Sequence, residues 1–250
     1  MVLTIEISRL AARRAGDLTI SELCLGLGYT GVKLSDGSGG CCFSCRGELG
    51  PQCGTIANAG NLTGMRASEA IALAGSINLS EAALGVATAT AILNRDYTAG
   101  PNAIEVMEVR PGDRIGMIGY FHPVVQQFKE RARELLIFER NVTAEGLLPD
   151  WSEDMYLPTC DVVVITGVTF INKTIDHILA LSRKAKEVVI MGASTLMEPE
   201  TLREYGVTLL AGSRVVDPDR LLRIISQGGG GLDIIPCTEK LCQRIAARRD

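Results

Sequence analysis

The side chains with the most chemistry in them fall into two groups. The first is a run of thiols, CCFSCRGELGPQCG, which places Cys41, Cys42, Cys45 and Cys53 in one glycine-rich segment. Thiolates are soft donors. A Cys-x-x-Cys pair (Cys42 and Cys45) with two further cysteines nearby has the make-up of a zinc or iron–sulfur site. Against this, adjacent residues of a strand point to opposite faces, so Cys41 and Cys42 reach one ion only through a bend. The spacing also matches no zinc ribbon. Metal ligation, packed free thiols and a disulfide therefore all stay open. Cys24 and Cys160 flank apolar strands, as core residues do. Cys237 and Cys242 are expected near a C-terminal helix, about one turn apart.

The second group lies in loops that follow apolar runs. Gly116 to Pro123 (GMIGYFHP) is a glycine-containing turn into a helix opened by proline. Free amides at such a start attract anions. The alternative is that Gly116 and Gly119 only let a strand and a helix pack closely. Twenty positions after Gly119 comes Glu139, where dinucleotide folds carry an acid for ribose hydroxyls; the alternative there is a solvated charge at a strand end. The loops Thr166-Gly167-Val168-Thr169-Phe170-Ile171-Asn172 and Gly192-Ala193-Ser194-Thr195-Leu196 are small and polar. Their hydroxyls and amide either bind a ligand or cap helices, with Asn172 as an N-cap. His122 stands at the first of these loops as an acid, a base or a ligand. His177 falls inside a helix and reads as ordinary. Gly228 to Gly231 reads as a helix stop and a mobile connection, without the Lys-Ser/Thr of a phosphate loop.

These loops need a scaffold, and the apolar pattern supplies one. Ile5 to Ala15 is helical and ends at Gly16. Leu18 to Leu27 and Val32 to Ser35 read as a hairpin turning at Gly28-Tyr29-Thr30-Gly31. Two helices follow, Arg66 to Ala74 and one capped at Asn78 or Ser80 that runs to about Asn94. From about Ile104 strands and helices alternate: RIGMIG, LIFE, DVVVIT, EVVIM and VTLLA are strands, with helices over Pro123–Glu130, Thr174–Lys184, Pro199–Tyr205 and Pro218–Gln227. Continuous apolar strands between helices mean a parallel sheet covered on both faces. The fold class is α/β: a C-terminal Rossmann-like sheet (residues 101–250) behind a smaller N-terminal α+β domain (residues 1–100). Ligands of such sheets bind outside the carboxyl ends of the strands, where all four loops lie.

Composition narrows the partners. Hydrophobic residues make up 46% of the chain and charged ones 22%, a globular balance. A net charge of -4 and only 4% aromatics argue against a nucleic acid, which needs a basic face and stacking rings. No apolar run is long enough to span a bilayer, and the start reads as no signal peptide. The expectation is a cytoplasmic protein with reduced thiols, a small-molecule or metal ligand, and a homodimer as the default assembly.

The strings DVVVITGVTFIN, VVIMGASTLMEP and YGVTLLAGSRVVDPDRLLRIISQGG, with GMIGYFHPVV, FER and the hairpin LGLGYTGVKL, resemble the prokaryotic family described as "Putative heavy-metal chelation". The resemblance implies an N-terminal domain like that of enolase, a Rossmann-like domain, and a site in the cleft between them. By position it carries over Tyr29, Thr30, Phe121, His122, Glu139, Thr166, Gly167, Asn172, Gly192, Ser194 and Thr195, to which the reading of the strand-end loops adds Gly119 as a ligand-binding candidate. The family pattern has prolines where this chain has Ala193 and Leu196, which leaves that loop less rigid, and the cysteine run is not a family feature. The resemblance implies handling of a heavy metal or metallo-ligand; a transition metal or iron–sulfur cluster as cofactor is the expectation of the cysteine run instead. His122 and Glu139 would be the ionisable groups. The alternative is an enzyme holding a nucleotide-type cofactor, such as S-adenosylmethionine or NAD, on the same rim.

Overall fold

The computed structural model describes residues 2–50, 54–142 and 144–246, so Cys53 lies outside the described residues. Helix α1 (Leu3–Arg14) is followed by three antiparallel strands, β1 (Ile20–Leu25), β2 (Tyr29–Leu34) and β3 (Gly39–Phe43). The hairpin turns earlier than its glycines suggest. The Gly26 amide donates to Tyr29 O at 2.9 Å, so Tyr29, Thr30 and Gly31 already belong to β2. Helix α3 (Leu79–Leu93) covers this sheet, and α2 (Ala67–Ala72) packs against α1 and α3. Asn78 caps α3, its Oδ1 accepting from the amides of Ser80 at 2.9 Å and Glu81 at 3.2 Å. Two donors that a helix start leaves unpaired are thereby satisfied.

Helix α3 is buried along almost its whole length, and its small side chains let backbones approach closely. A methyl group at Gly40 of β3 would stand 2.1 Å from Ala87 O. One at Gly85 would stand 2.1 Å from the Ala74 nitrogen. Both positions therefore need glycine.

From α4 (Ala103–Val106) the chain alternates. It runs through β4 (Arg114–Ile118), α5 (His122–Phe128), β5 (Glu134–Glu139), β6 (Leu147–Pro149), α6 (Glu153–Tyr156), β7 (Val162–Thr166), α7 (Thr169–Asn172) and α8 (Ile175–Leu181). It then continues through β8 (Glu187–Met191), α9 (Pro199–Arg203), β9 (Leu209–Val215), α10 (Pro218–Ser226) and β10 (Thr238–Arg244). Strands β7 and β8 are buried on both faces, as their unbroken apolar runs require. One face packs Val163, Ile165 and Ile190 into a core shared with Val32, Cys42 and α3; the other packs Met117, Val164 and Val189. This is an α/β fold with a mostly parallel sheet.

Two strands lie outside the sequence reading, β6 and β10. Cys242 sits on β10, which pairs antiparallel with β9, and Cys237 closes a short 3-10 segment, Gly231–Cys237. The C-terminal helix expected around these cysteines is therefore a strand. Backbone pairing along the whole of β9 decides the matter, and that pairing is a long-range property no local pattern announces.

Among the described residues the sheet order is β1-β2-β3-β9-β8-β7-β4-β5-β6, with β10 joined to β9. The chain lays β5 and β6 to one side of β4 and β7, β8 and β9 to the other. The order therefore reverses between β4 and β7, which opens a crevice there. Strand β9 adds a second boundary. Its residues 209–211 pair with β8, whereas Val215 pairs with Gly39 of β3 and β10 runs along its other edge. The N-terminal strands thus continue the sheet beyond the point where β8 stops, and they face the crevice.

Candidate functional site

A cavity of about 570 Å³ occupies this crevice. Gly119, Phe121, Glu139, Thr166, Asn172, Gly192 and Ser194 from the strand-end loops line it, and Tyr29 and Phe43 reach it from the N-terminal strands. The rim is built by specific bonds. Gly119 takes φ +84°, and a methyl group there would come within 3.1 Å of the Thr166 side chain. Glu139 Oε1 accepts from the Tyr120 amide at 2.7 Å, tying the loop after β4 to the end of β5. The Thr169 hydroxyl donates to Thr166 O at 2.7 Å. Asn172 Oδ1 accepts from the amide and the hydroxyl of Thr174, at the turn between α7 and α8. Ser194 Oγ accepts from the Phe43 amide at 3.0 Å and so joins the β8 loop to β3.

The loop with Ala193 and Leu196 in place of prolines is braced from outside. Asn94 at the end of α3 is buried. Its Nδ2 donates to Thr195 O and Ser213 O, each at 3.0 Å, and its Oδ1 accepts from the Met197 amide at 3.1 Å. A single amide fixes three segments, because both ends of the side chain are paired in a buried place.

Other expected site residues lie elsewhere. His122 is exposed and does not line the cavity. Thr30 is buried with its hydroxyl 3.0 Å from that of Ser44. Gly167 lets the backbone of Ser194 and Thr195 pass; a methyl group there would be 2.6 Å from Ser194 C. Thr195 is fully buried, and its hydroxyl has no partner among the described residues. The glycine run is a helix stop at Gly228, φ +82°. It is also packed: a methyl group at Gly230 would meet the Tyr29 ring at 2.6 Å. The Tyr29 hydroxyl is pushed up to about 12 by burial and then by the nearby Cys41 and Cys42 thiols, so it stays protonated.

The described cysteines of the thiol run, Cys41, Cys42 and Cys45, are closed in. Cys42 points into the α3 core, its thiol donating to Ala83 O at 3.0 Å. Cys41 points the other way, into a cluster with Leu221, Ile225 and Cys237. Burial raises the Cys41 thiol to about 12, and the Cys45 thiol to about 11 against the opposing pull of Arg140 and Lys173. Among the described residues no three His, Cys, Asp or Glu side chains stand close enough to hold a metal ion.

The cavity's ionisable groups come mostly from elsewhere. The segment after β6 supplies Asp150, Trp151, Glu153 and Asp154, and α8 supplies His177. His177, which reads as an ordinary helix residue, lies on the cavity wall with Nε2 3.1 Å from Asp154 Oδ2. Arg140 pairs with Glu48 and with Asp150, the latter at 3.1 Å. Glu153 is only 7% exposed, and its carboxyl makes no hydrogen bond or ion pair with any described residue. Burial, then the charge of Asp150, raises it to about 7, against the pull of His177 and Arg140. A group poised there exchanges a proton near neutrality. The signal was present in the sequence: the chain's only tryptophan sits in the acidic string DWSED, between two strands.

The fold and site define an α/β protein with an acid-lined, aromatic-walled cavity at the switch point of its sheet. The chain belongs to the family described as "Putative heavy-metal chelation", one model of which matches residues 102–240 and a second, of the same description, residues 8–93. It is 30% identical over 161 residues to an uncharacterized protein of Methanocaldococcus jannaschii, and spans 62% of that relative's length. The crystal structure of a family protein of unknown function from Pyrococcus horikoshii superposes with a TM-score of 0.84 at 27% identity, over 97% of this chain and 100% of that one. One from Desulfitobacterium hafniense gives 0.81 at 24% identity, over 96% and 98%, and speaks for the fold alone. No helix among the described residues is long and apolar enough to cross a membrane.

Proposed function

We propose that the chain handles a metal in the form of a small metallo-ligand, taken up in the cavity at the strand ends. The observation that carries this reading is the acid-rich lining, in which Glu153 is buried and unpaired while Arg140 is already held by two carboxylates. Such a lining attracts positive charge. With no three-donor cluster among the described residues, the ion would bring donor atoms of its own. In this reading Glu139, Thr166, Asn172 and Ser194 orient the ligand. The two family matches support a division into an N-terminal domain over 1–100 and a second domain over 101–250.

Elemental analysis of protein purified without oxygen tests this, on the wild type, on Glu153→Gln with Asp150→Asn, and on a variant with Ser at Cys41, Cys42, Cys45 and Cys53. Stoichiometric metal lost only in the cavity variant is the expected result. Loss only in the cysteine variant would move the site to β3 and its flank, and no metal in the wild type would remove the reading.

A second reading, a cofactor of the S-adenosylmethionine type, is favoured by one observation. The order β6-β5-β4-β7-β8-β9 is that of dinucleotide-binding sheets, and Glu139 stands at the end of the strand whose acid meets the ribose there. The acidic lining disfavours a phosphorylated cofactor such as NAD. Thermal stabilisation by S-adenosylmethionine, absent in Glu139→Ala, would support it.

A further inference from the structure

We propose that the cavity selects an organic cation, a quaternary ammonium or sulfonium group, held against its aromatic wall with Glu153 as counter-ion. The inference uses the cavity of the metal reading but not the metal.

The first observation is where the rings are. The chain has eleven Trp, Tyr and Phe residues. Six of them, Tyr29, Phe43, Tyr120, Phe121, Phe138 and Trp151, line this one cavity. Trp151 is 70% exposed, Tyr120 49% and Phe43 39%. Aromatic faces left open around a cavity are surface that a ligand would cover.

The second observation is charge. Glu153 is buried, faces the cavity and has no hydrogen-bond partner among the described residues. The charged groups around it are Asp150, Asp154, Arg140 and His177, and Glu48 and Glu139 line the same space. Arg140 is neutralised by Glu48 and Asp150, and His177 by Asp154 when it is protonated. A positive centre thus meets a carboxylate that has no ion-pair partner of its own among the described residues, whereas a phosphate meets repulsion.

The combination favours an onium group over an aquated ion. A strongly hydrated cation loses much by leaving water and gains little from a ring face. A poorly hydrated onium group loses little and gains the ring's quadrupole. Because the charged form of Glu153 is the one that binds, and burial holds this acid near neutrality, affinity should rise between pH 6 and pH 8.

The test uses the single tryptophan, which stands at the cavity, as a fluorescent reporter in the full chain. Two matched pairs are titrated at pH 8: choline against its uncharged isostere 3,3-dimethylbutanol, and S-adenosylmethionine against S-adenosylhomocysteine, which lacks the sulfonium charge. Nickel(II) alone is the third probe. In at least one pair the charged member should bind on the order of ten-fold tighter, with the preference shrinking at pH 6. The pair that discriminates tells ammonium from sulfonium. Glu153→Gln should abolish the preference, and calorimetry on Trp151→Ala and Trp151→Phe should show loss and retention of binding respectively. Equal binding within both pairs, or a preference that survives Glu153→Gln, would overturn the proposal. Tight nickel binding without onium binding would also overturn it; the metal reading concerns an ion that brings its own donors and is decided separately by the elemental analysis above.

Discussion

Strand β3 and the acidic segment after β6 both carry reactive side chains, yet only one of them faces open space. In β3 the alternation of a strand sends Cys42 into the α3 core and Cys41 into a second cluster. Both thiols are excluded from water, and burial holds them protonated. The segment Asp150–Asp154 instead folds as a short helical turn along the cavity, where Trp151 is open and Glu153 faces the space from a buried position. The difference lies in what packs against each element. Close-packed small residues of α3 seal one face of β3, and Leu221, Ile225, Ile234 and Cys237 seal the other, whereas the switch between β4 and β7 leaves the strand ends uncovered.

That contrast can be broken in three ways. The largest effect is expected at Gly40. Alanine there places a methyl group against the α3 backbone, a contact that only a shift of the whole helix relieves. A loss of about 3 kcal/mol or more is expected, seen as a collapse of the urea midpoint. A variant as stable as wild type would show that β3 is not sealed as described.

Next comes Glu153→Gln. The folded-state carboxyl ionises near 7 rather than near its ordinary 4.5. Between those values the folded protein holds a proton that the unfolded chain has released, so stability falls as pH rises through this window. Glutamine removes the penalty. The variant should be more stable than wild type at pH 8 by on the order of 3 kcal/mol and should show no such gain at pH 4. Thermal melts across pH would read this, and a pH-independent difference would mean that the carboxyl is not the titrating group.

The smallest effects form a pair. Cys42→Ala leaves a small void in the core and should lower stability by about 1 kcal/mol without changing how the cavity probes bind. Trp151→Ala should change stability by less than about 0.5 kcal/mol yet weaken probe binding. If the two variants exchange these outcomes, the roles of the two regions are reversed.

Much of the scaffold was legible. The unbroken apolar strings of β7 and β8 can only be buried strands, Asn78 is a recognisable cap, and the loops carrying Gly119, Thr166, Asn172, Gly192 and Ser194 do line one cavity. The site's ionisable members were less so. His122 follows the right strand but begins a helix that turns it outward to solvent, whereas His177, in mid-helix, faces the cavity because α8 packs along it. Glu153 is one carboxylate among many in the string until its burial is known.

The sequence by itself determined the α/β class, the parallel strands and the rim of small polar loops, because period, capping and turn chemistry are local. Tertiary structure alone decided three things: that β9 changes partner from β8 to β3, that β10 is a strand, and that an acid after β6 is left buried and without an ion pair in the cavity that Tyr29 and Phe43 also line. Each depends on segments far apart in the chain meeting at one place. Burial and charge are properties of that meeting, not of any residue on its own.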